Sequence, residues 1–513
     1  MSTTNWSAGY MSDIAYTFGY YNELNPLRAK LAFANAGVAY PDVRVACELG
    51  FGQGVSANIH AAASPIDWWG TDFNPSQAGF AQEMAAASGA KAHFFDQTFA
   101  EFAMRADMPD FDYIGLHGIW SWISEENSSV IVDFVRRKLK VGGVLYISYN
   151  SMPGWAAFAP MRDLLMEHAE IMAVPGRGIL SRVDAALEFA AKLVALNPAY
   201  ARANPQIGER IQAIKGQNRH YVAHEYFNRE WRPMSFAKLA EWFAPAKVSY
   251  VCAAHYLDDI DAINLNADQQ AFLKEIPDSM FRATVRDFMV NLQFRRDYWV
   301  KGARALAPTE RADALRAQSI ILTSDRADVS MTTKGALGDA LMHEAIYSPI
   351  LDAVSDHRPK TLAHLDKAVS AKGVTFAQMV EAVMVLIGNG HVHPVQDEAL
   401  AAASKGHIDK LNAYLMNKAR GNNDLGFLAS PVTGGGVSLP RLSQLFLLAE
   451  QRGKKRPADW AEFVWGVLSE QGQRLLKDGK ALDSPEENLA ELKSMATVFG
   501  EKQLPTLRAL GIS

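Results

Sequence analysis

The sequence predicts an α/β fold, a mostly parallel sheet with helices on both faces, and three observations predict it. Short apolar strand-like runs alternate with helical runs from position 45 to position 149, the pattern of a parallel sheet. A turn with glycine at alternate positions, Glu48-Leu49-Gly50-Phe51-Gly52-Gln53-Gly54, leaves the first strand and opens a helix. Polar residues gather just after the strands, at the edge where open α/β sheets bind ligands.

Taken in order, residues 5–26 are rich in aromatics: Trp6, Tyr10, Tyr16, Phe18, Tyr20 and Tyr21. They fit a hydrophobic arm packed on the first domain, or a lid over a reactive centre, and both can hold. Pro26 is suited to the first turn of a helix over Leu27 to Ala36, which Gly37 ends. Val45, Ala46 and Cys47 close the first strand. Glycines in the turn that follows let the chain bend tightly and a ligand approach the main chain. The spacing is G-x-G-x-G, with Val55 where a dinucleotide fingerprint has its third glycine. That departure, with Glu48 ahead of the turn, points from NAD to S-adenosylmethionine.

Asp67 to Phe73 reads as a second strand. Its terminal acid, Asp72, falls about 20 residues past the turn, where a carboxylate accepts ribose hydroxyls. Lys91 to Phe95 is a third strand, ending at Asp96-Gln97, and Phe111 to His117 a fourth, running into Gly118-Ile119-Trp120-Ser121-Trp122. A helix from Ser128 to Leu139 leads to a fifth strand, Val144 to Tyr149, followed by Asn150 to Trp155. Glu48, Asp72, Asp96 and His117 thus share one sheet edge. Residues 160–235 read as helical, an insertion covering that edge. Strand patterns return at Lys247 to Ala253 and Phe294 to Gly302. These are read as the sixth and seventh strands of the same sheet; a separate small domain over 220–305 is the alternative.

Beyond Gly302, Ala303 to Ala317 reads as a linker helix and Val329 to Lys334 as a short strand. Helices are expected near 338–354, near 360–371 and over Phe376 to Ile387, then a turn into His391-Val392-His393-Pro394. The order suggests a winged-helix-like module. The third helix of a DNA reader carries Lys or Arg, and Thr375 to Met384 has neither. A packing or protein-docking module is expected, with no nucleic acid. The last hundred residues read as helical, with Gly434-Gly435-Gly436 marking a loop.

Composition excludes several classes. A formal net charge of −5 gives no general pull towards nucleic acid or anionic membranes. Two cysteines, Cys47 and Cys252, permit no disulfide framework or Cys-rich metal site and fit a reducing cytoplasm. No apolar run approaches the roughly 20 residues that span a bilayer, and no secretory signal is apparent at the start. The sequence lacks a zinc-protease helix motif, a nucleophile elbow and a phosphate-binding loop. His391 and His393 have no acid cluster beside them, so no metal is expected.

Glu48-x-Gly50-x-Gly52-x-Gly54, Asp72 and Asp96-Gln97 resemble the corresponding motifs of class I S-adenosylmethionine-dependent methyltransferases. The resemblance implies a Rossmann-like seven-stranded methyltransferase sheet. It places the glycine turn, with Phe51, against the methionyl part of the cofactor, Asp72 at the ribose, and Asp96 with Gln97 at the adenine, with Phe73 and His117 as further cofactor-binding residues. His117-Gly118-Ile119-Trp120-Ser121-Trp122, Ser148 to Trp155, His224-Glu225-Tyr226-Phe227-Asn228 and Phe294-Arg295-Arg296 resemble a narrower group. These are bacterial methyltransferases with a methyltransferase regulatory domain, among them outer-membrane-protein lysine methyltransferases. Where that group often has Gly-Cys, this chain has Gly50-Phe51.

The implied organisation is a methyltransferase domain over 1–306, with the helical insertion at about 160–235 and a regulatory-domain-like region at about 220–305. A winged-helix-like module over 307–396 and a helical C-terminal region over 397–513 follow. Protein lysine is the favoured acceptor, with a sugar or other small molecule as the rival, and a non-catalytic cofactor-binding scaffold as the third reading. Tyr16, Tyr20, His117, Trp120, Trp122, Tyr149 and Trp155 are candidates to line an aromatic slot in which burial delivers a neutral lysine amine. Core packing is the competing role for each. His117 is alternatively a general base for a hydroxyl acceptor.

Overall fold

The computed structural model describes residues 16–172 and 178–513. The expectations for Trp6 and Tyr10 lie outside these residues. Seven strands form one sheet: β1 Val45–Leu49, β2 Asp67–Thr71, β3 Ala92–Phe95, β4 Phe111–Leu116, β5 Leu139–Asn150, β6 Val248–Ala253 and β7 Phe294–Lys301. Their order is β3-β2-β1-β4-β5-β7-β6. The first five run parallel, and β7 lies antiparallel between β5 and β6. The sixth and seventh strands therefore complete the sheet rather than forming a small domain of their own. Side chains alternate across it, as the strand period of two requires. Ala46, Trp68, Tyr113, Tyr146 and Tyr298 face one core, and Cys47, Trp69, Ile114, Leu145 and Trp299 the other.

Capping residues set the helices beside the sheet. Asn25 accepts from the Leu27 N–H, and Pro26 occupies the first turn of the helix Pro26–Ala36. Asn74 does the same for Pro75–Ser88, so both starts follow the N-cap and proline pattern. Between β5 and β6 the helices Ala159–Ile171, Ile179–Ala195, Ile207–Lys215 and Arg219–Tyr226 gather around a core of their own. The last two of these are separate helices because Asn218 caps a new start, its side chain accepting from the His220 and Tyr221 N–H groups.

The 307–396 region contains β8 Ser319–Leu322, the hairpin β9 Thr332–Gly335 and β10 Gly338–Leu341, then β11 Lys360–Thr361 and β12 Val392–Val395. β8 sits between β11 and β12 in a three-stranded sheet. Helices span Glu344–Ala353, Leu362–Ser370 and Phe376–Gly388. The expected helix start near 338 is instead the second arm of the hairpin. The linker helix is shorter than expected, Pro308–Arg316, because Pro308 fixes its first turn. Met379, Val380 and Ala382 to Ile387 of the third helix are buried, in a core shared with β4, β5 and β7.

The C-terminal region is helical apart from short hairpins. In one of them β13 Phe427–Ser430 pairs with β14 Gly435–Ser438, so Gly435 and Gly436 are strand residues rather than loop. The helices of this region share a core with Val55, Ile59 and Met84 beside the glycine turn.

Candidate active site

The glycine turn connects β1 to the helix Val55–Ala63, and Gly50, Gly52 and Gly54 adopt φ of +69°, +60° and +70°. That left-handed backbone costs any residue with a Cβ. At Gly54 a Cβ would also stand 2.5 Å from that of Ala81, so the helices Val55–Ala63 and Pro75–Ser88 approach closely only because nothing is there. The Asp72 carboxylate braces the turn, accepting from the Gly52 N–H at 2.9 Å and from the Asn74 N–H at 3.0 Å.

The turn forms one wall of a cavity of about 360 Å³, a size suited to a small-molecule cofactor. Glu48 lies in it, 2% exposed, and its Oε2 has no hydrogen-bond partner among the described residues. Burial, with the Asp72 charge beside it, pushes its carboxyl up to about 8. Burial likewise pushes Asp72 up to about 7. An orphaned buried carboxylate next to main chain without side chains fits a ligand with a cationic amino group.

Of the expected cofactor residues, Glu48, Gly50, Phe51, Gly52, Gly54, Asp72, Phe73, Gln97 and His117 all line the cavity. Asp96 is exposed at the end of β3 and is not among the lining residues. Gln97 lines it instead, its main-chain carbonyl accepting from the Thr71 hydroxyl and its side-chain oxygen from Arg105.

The aromatic candidates divide. Tyr16, Trp122 and His117 line the cavity. His117 holds Nδ1 at 2.7 Å from the Tyr146 hydroxyl, and burial pulls it down to about 4, leaving a neutral imidazole. Trp120 is buried beneath the site, donating to the Met234 sulfur and packing against Phe243. Tyr149 is buried and donates to Asp297 Oδ2 at 3.2 Å. Trp155 belongs to the insertion's core, with Nε1–H on the Gln293 carbonyl. Tyr20 points away from the cavity, its hydroxyl 3.0 Å from His60 Nε2. Its neighbour Tyr21 takes the cavity side and stacks on His117, ring centroids 3.6 Å apart. In an extended segment adjacent side chains face opposite ways, and this alternation separates the two tyrosines.

Sequence reasoning missed Tyr21 and Glu225 as site residues. His224, Glu225 and Asn228, from the end of the insertion, reach the cavity. The His224 ring stands edge-on to Tyr16 at 5.0 Å. Glu225 accepts a hydrogen bond from Tyr16, and burial pushes its carboxyl up to about 7. Tyr21 lies between Glu225 and Glu48; burial first, then both carboxylates, push its hydroxyl up to about 12. The one available signal was that His224 to Asn228 belongs to the same resemblance as His117 to Trp122.

Comparison with known proteins agrees with this geometry. The family described as "Predicted methyltransferase regulatory domain" matches residues 218–301, the span that supplies Glu225, β6 and β7. The uncharacterized protein sll1526 of Synechocystis is 39% identical over 99% of this chain and 100% of its own length. RP789 of Rickettsia prowazekii is 25% identical over 55% of this chain and 51% of its own. The structure of PKMT2 from Rickettsia typhi in complex with AdoHcy has the same fold, with a TM-score of 0.69 and 16% identity over 96% of this chain and 99% of that one. Relationship along the whole length shows that the chain belongs to the same family as sll1526, and within it residues 218–301 form a methyltransferase regulatory domain.

Proposed function

We propose that the protein transfers methyl groups to lysine side chains of protein substrates in the cytoplasm. The observation that supports this most is the charge of the cavity. Glu48, Asp72, Glu126, Glu225 and Glu230 line it, and no Lys or Arg does among the described residues. A cationic acceptor favours the ionised forms of these buried carboxyls, and an anionic one opposes them. The Rickettsia typhi protein of the same fold bears the name PKMT2, in keeping with this reading.

In this proposal Glu48 holds the methionyl amino group and the main chain of Gly50 to Gly54 lies along the methionyl arm. Asp72 faces the ribose, with Phe73 and Gln97 towards the adenine. S-adenosylmethionine supplies an electrophilic methyl on its sulfonium. The acceptor end is built by Tyr16, Tyr21, His117, Trp122, His224 and Glu225. A lysine arrives as ammonium, and Glu225, poised near neutrality, takes its proton. The freed nitrogen lone pair forms the new N–C bond while the S–C bond breaks and its electron pair stays on sulfur. Aromatic walls exclude water, and alignment of nucleophile and methyl supplies much of the rate.

Transfer of a tritiated methyl group into host lysate, separated into protein and small-molecule fractions, tests the acceptor. Label in protein that hydrolyses to methyl-lysine is expected. Label confined to the small-molecule fraction would overturn the lysine reading.

A further inference from the structure

We infer that the β13–β14 hairpin of the C-terminal region is the seat that holds the Tyr16–Tyr21 segment across the cofactor turn, and that Tyr20 is the positioning residue joining them. This rests on the cavity being the cofactor pocket.

The segment is tied to the cofactor corner by its backbone. The Tyr21 N–H donates to Ser56 Oγ at 2.9 Å, and Gln53 Nε2–H donates to the Tyr16 carbonyl at 3.2 Å. Its cavity side supplies Tyr16, Thr17, Gly19 and Tyr21. Its other side is anchored by Tyr20, buried in the core of the C-terminal region with its ring 5.5 Å from that of Phe427. The ring lies flat on glycine: a Cβ on Gly436 would stand 2.9 Å from Tyr20 Cγ, and one on Gly435 would collide with the Tyr20 hydroxyl. Two glycines side by side in a strand lose packing and entropy, and here the space they leave is filled by the tyrosine. Asn25 adds a second tie, donating to the carbonyls of Thr433 and Gly434 at 3.3 and 3.4 Å.

The seat is rigid on its own account. Asn412 both accepts from the Ala429 N–H and donates to the Ala429 carbonyl, each at 2.8 Å. Ser430 donates to the Leu510 carbonyl at 2.7 Å. Chain positions beyond 400 thus fix the register of a segment whose next residue, Tyr21, stacks on His117. No residue of the hairpin lines the cavity, so it acts on the site at second hand, through Tyr20 and Asn25 and through the helix Val55–Ala63 packed beside it.

S-adenosylhomocysteine titrations of the full-length protein test this, with Tyr20→Ala, Tyr20→Phe, Gly436→Val and the Tyr20→Ala/Gly436→Val double variant. Loss of the seated conformation reduces apparent affinity by the fraction that remains competent, roughly tenfold or more for Tyr20→Ala and Gly436→Val. Tyr20→Phe keeps the ring and is expected to bind like wild type. The double variant is expected to bind no worse than Tyr20→Ala alone, because the two changes break one contact. Wild-type affinity in Tyr20→Ala, or additive losses in the double variant, overturns the inference. Should Gly436→Val fail to fold, the contrast between Tyr20→Ala and Tyr20→Phe decides, equal loss in both counting against a seated ring. Absence of binding by folded wild-type protein instead overturns the cofactor reading itself.

Discussion

Glu48 and Asp72 stand at the carboxyl ends of adjacent strands, and burial keeps both carboxyls protonated into the neutral range, near 8 for Glu48 and 7 for Asp72. The cofactor brings a positive charge to them, which favours their ionised forms. Binding at pH 7 should therefore release protons, and affinity should rise from pH 6 to pH 9. Stability of the free protein should move the other way. The folded state holds protons that the unfolded chain gives up near pH 4, so this contribution is full below that pH and lost as pH rises through 7 and 8. Calorimetry of S-adenosylhomocysteine binding in buffers of different ionisation enthalpy reads the proton count. Buffer-independent enthalpy would exclude the pairing.

Glu225 should act on the acceptor and not on the cofactor. Glu225→Gln is expected to lower kcat on a lysine peptide by about 100-fold, the range of a lost acid–base group. Its S-adenosylhomocysteine affinity should stay near that of wild type. In wild type the rate should rise with pH through about 7, as Glu225 ionises, and the variant should lose that inflection. A variant with full kcat and an unchanged pH profile would assign the proton elsewhere.

His117 is neutral throughout the working range, since burial pulls it to about 4. Labelled-histidine NMR should show it without titration between pH 5.5 and pH 8. A midpoint near 6.5 would mean that the stack on Tyr21 and the Tyr146 contact do not hold it as described.

Arg295 joins the helix Ser279–Met289 to β7, with Nη1 2.5 Å from Asp287 Oδ1 and Nε 3.0 Å from Asp297 Oδ2. All three side chains are buried. Arg295→Met strands two carboxylates and is expected to cost about 3–5 kcal/mol. Urea denaturation followed by tryptophan fluorescence measures this. A loss below about 1 kcal/mol, the size of a surface pair, would show that the network is solvated.

The succession of strands β1 to β5 along the chain, the glycine turn and the polar edge were legible in the sequence, because each follows from local rules. Alternation, capping and the need for φ > 0 are decided within a few residues. Asp72 and Gln97 could be placed for the same reason: a strand's carboxyl end locates its next residue. Asp96 and Gln97 were read as a pair, and it is the folded turn after β3 that leaves Gln97 at the cavity wall and Asp96 exposed.

The remaining assignments depend on residues far apart along the chain. Tyr20 and Tyr21 are equal in composition, yet one is claimed by Gly435 and Gly436 and the other by His117. Trp120, Tyr149 and Trp155 have the residue types of a binding slot and lie in cores formed with residues such as Phe243, Asp297 and Gln293. Glu225 acquires its shifted carboxyl from burial by an insertion whose docking no local pattern encodes. Local patterns were enough for the sheet and the glycine turn. Folding decided which aromatics line the cavity, since burial and opposing charge exist only after distant segments have closed around it.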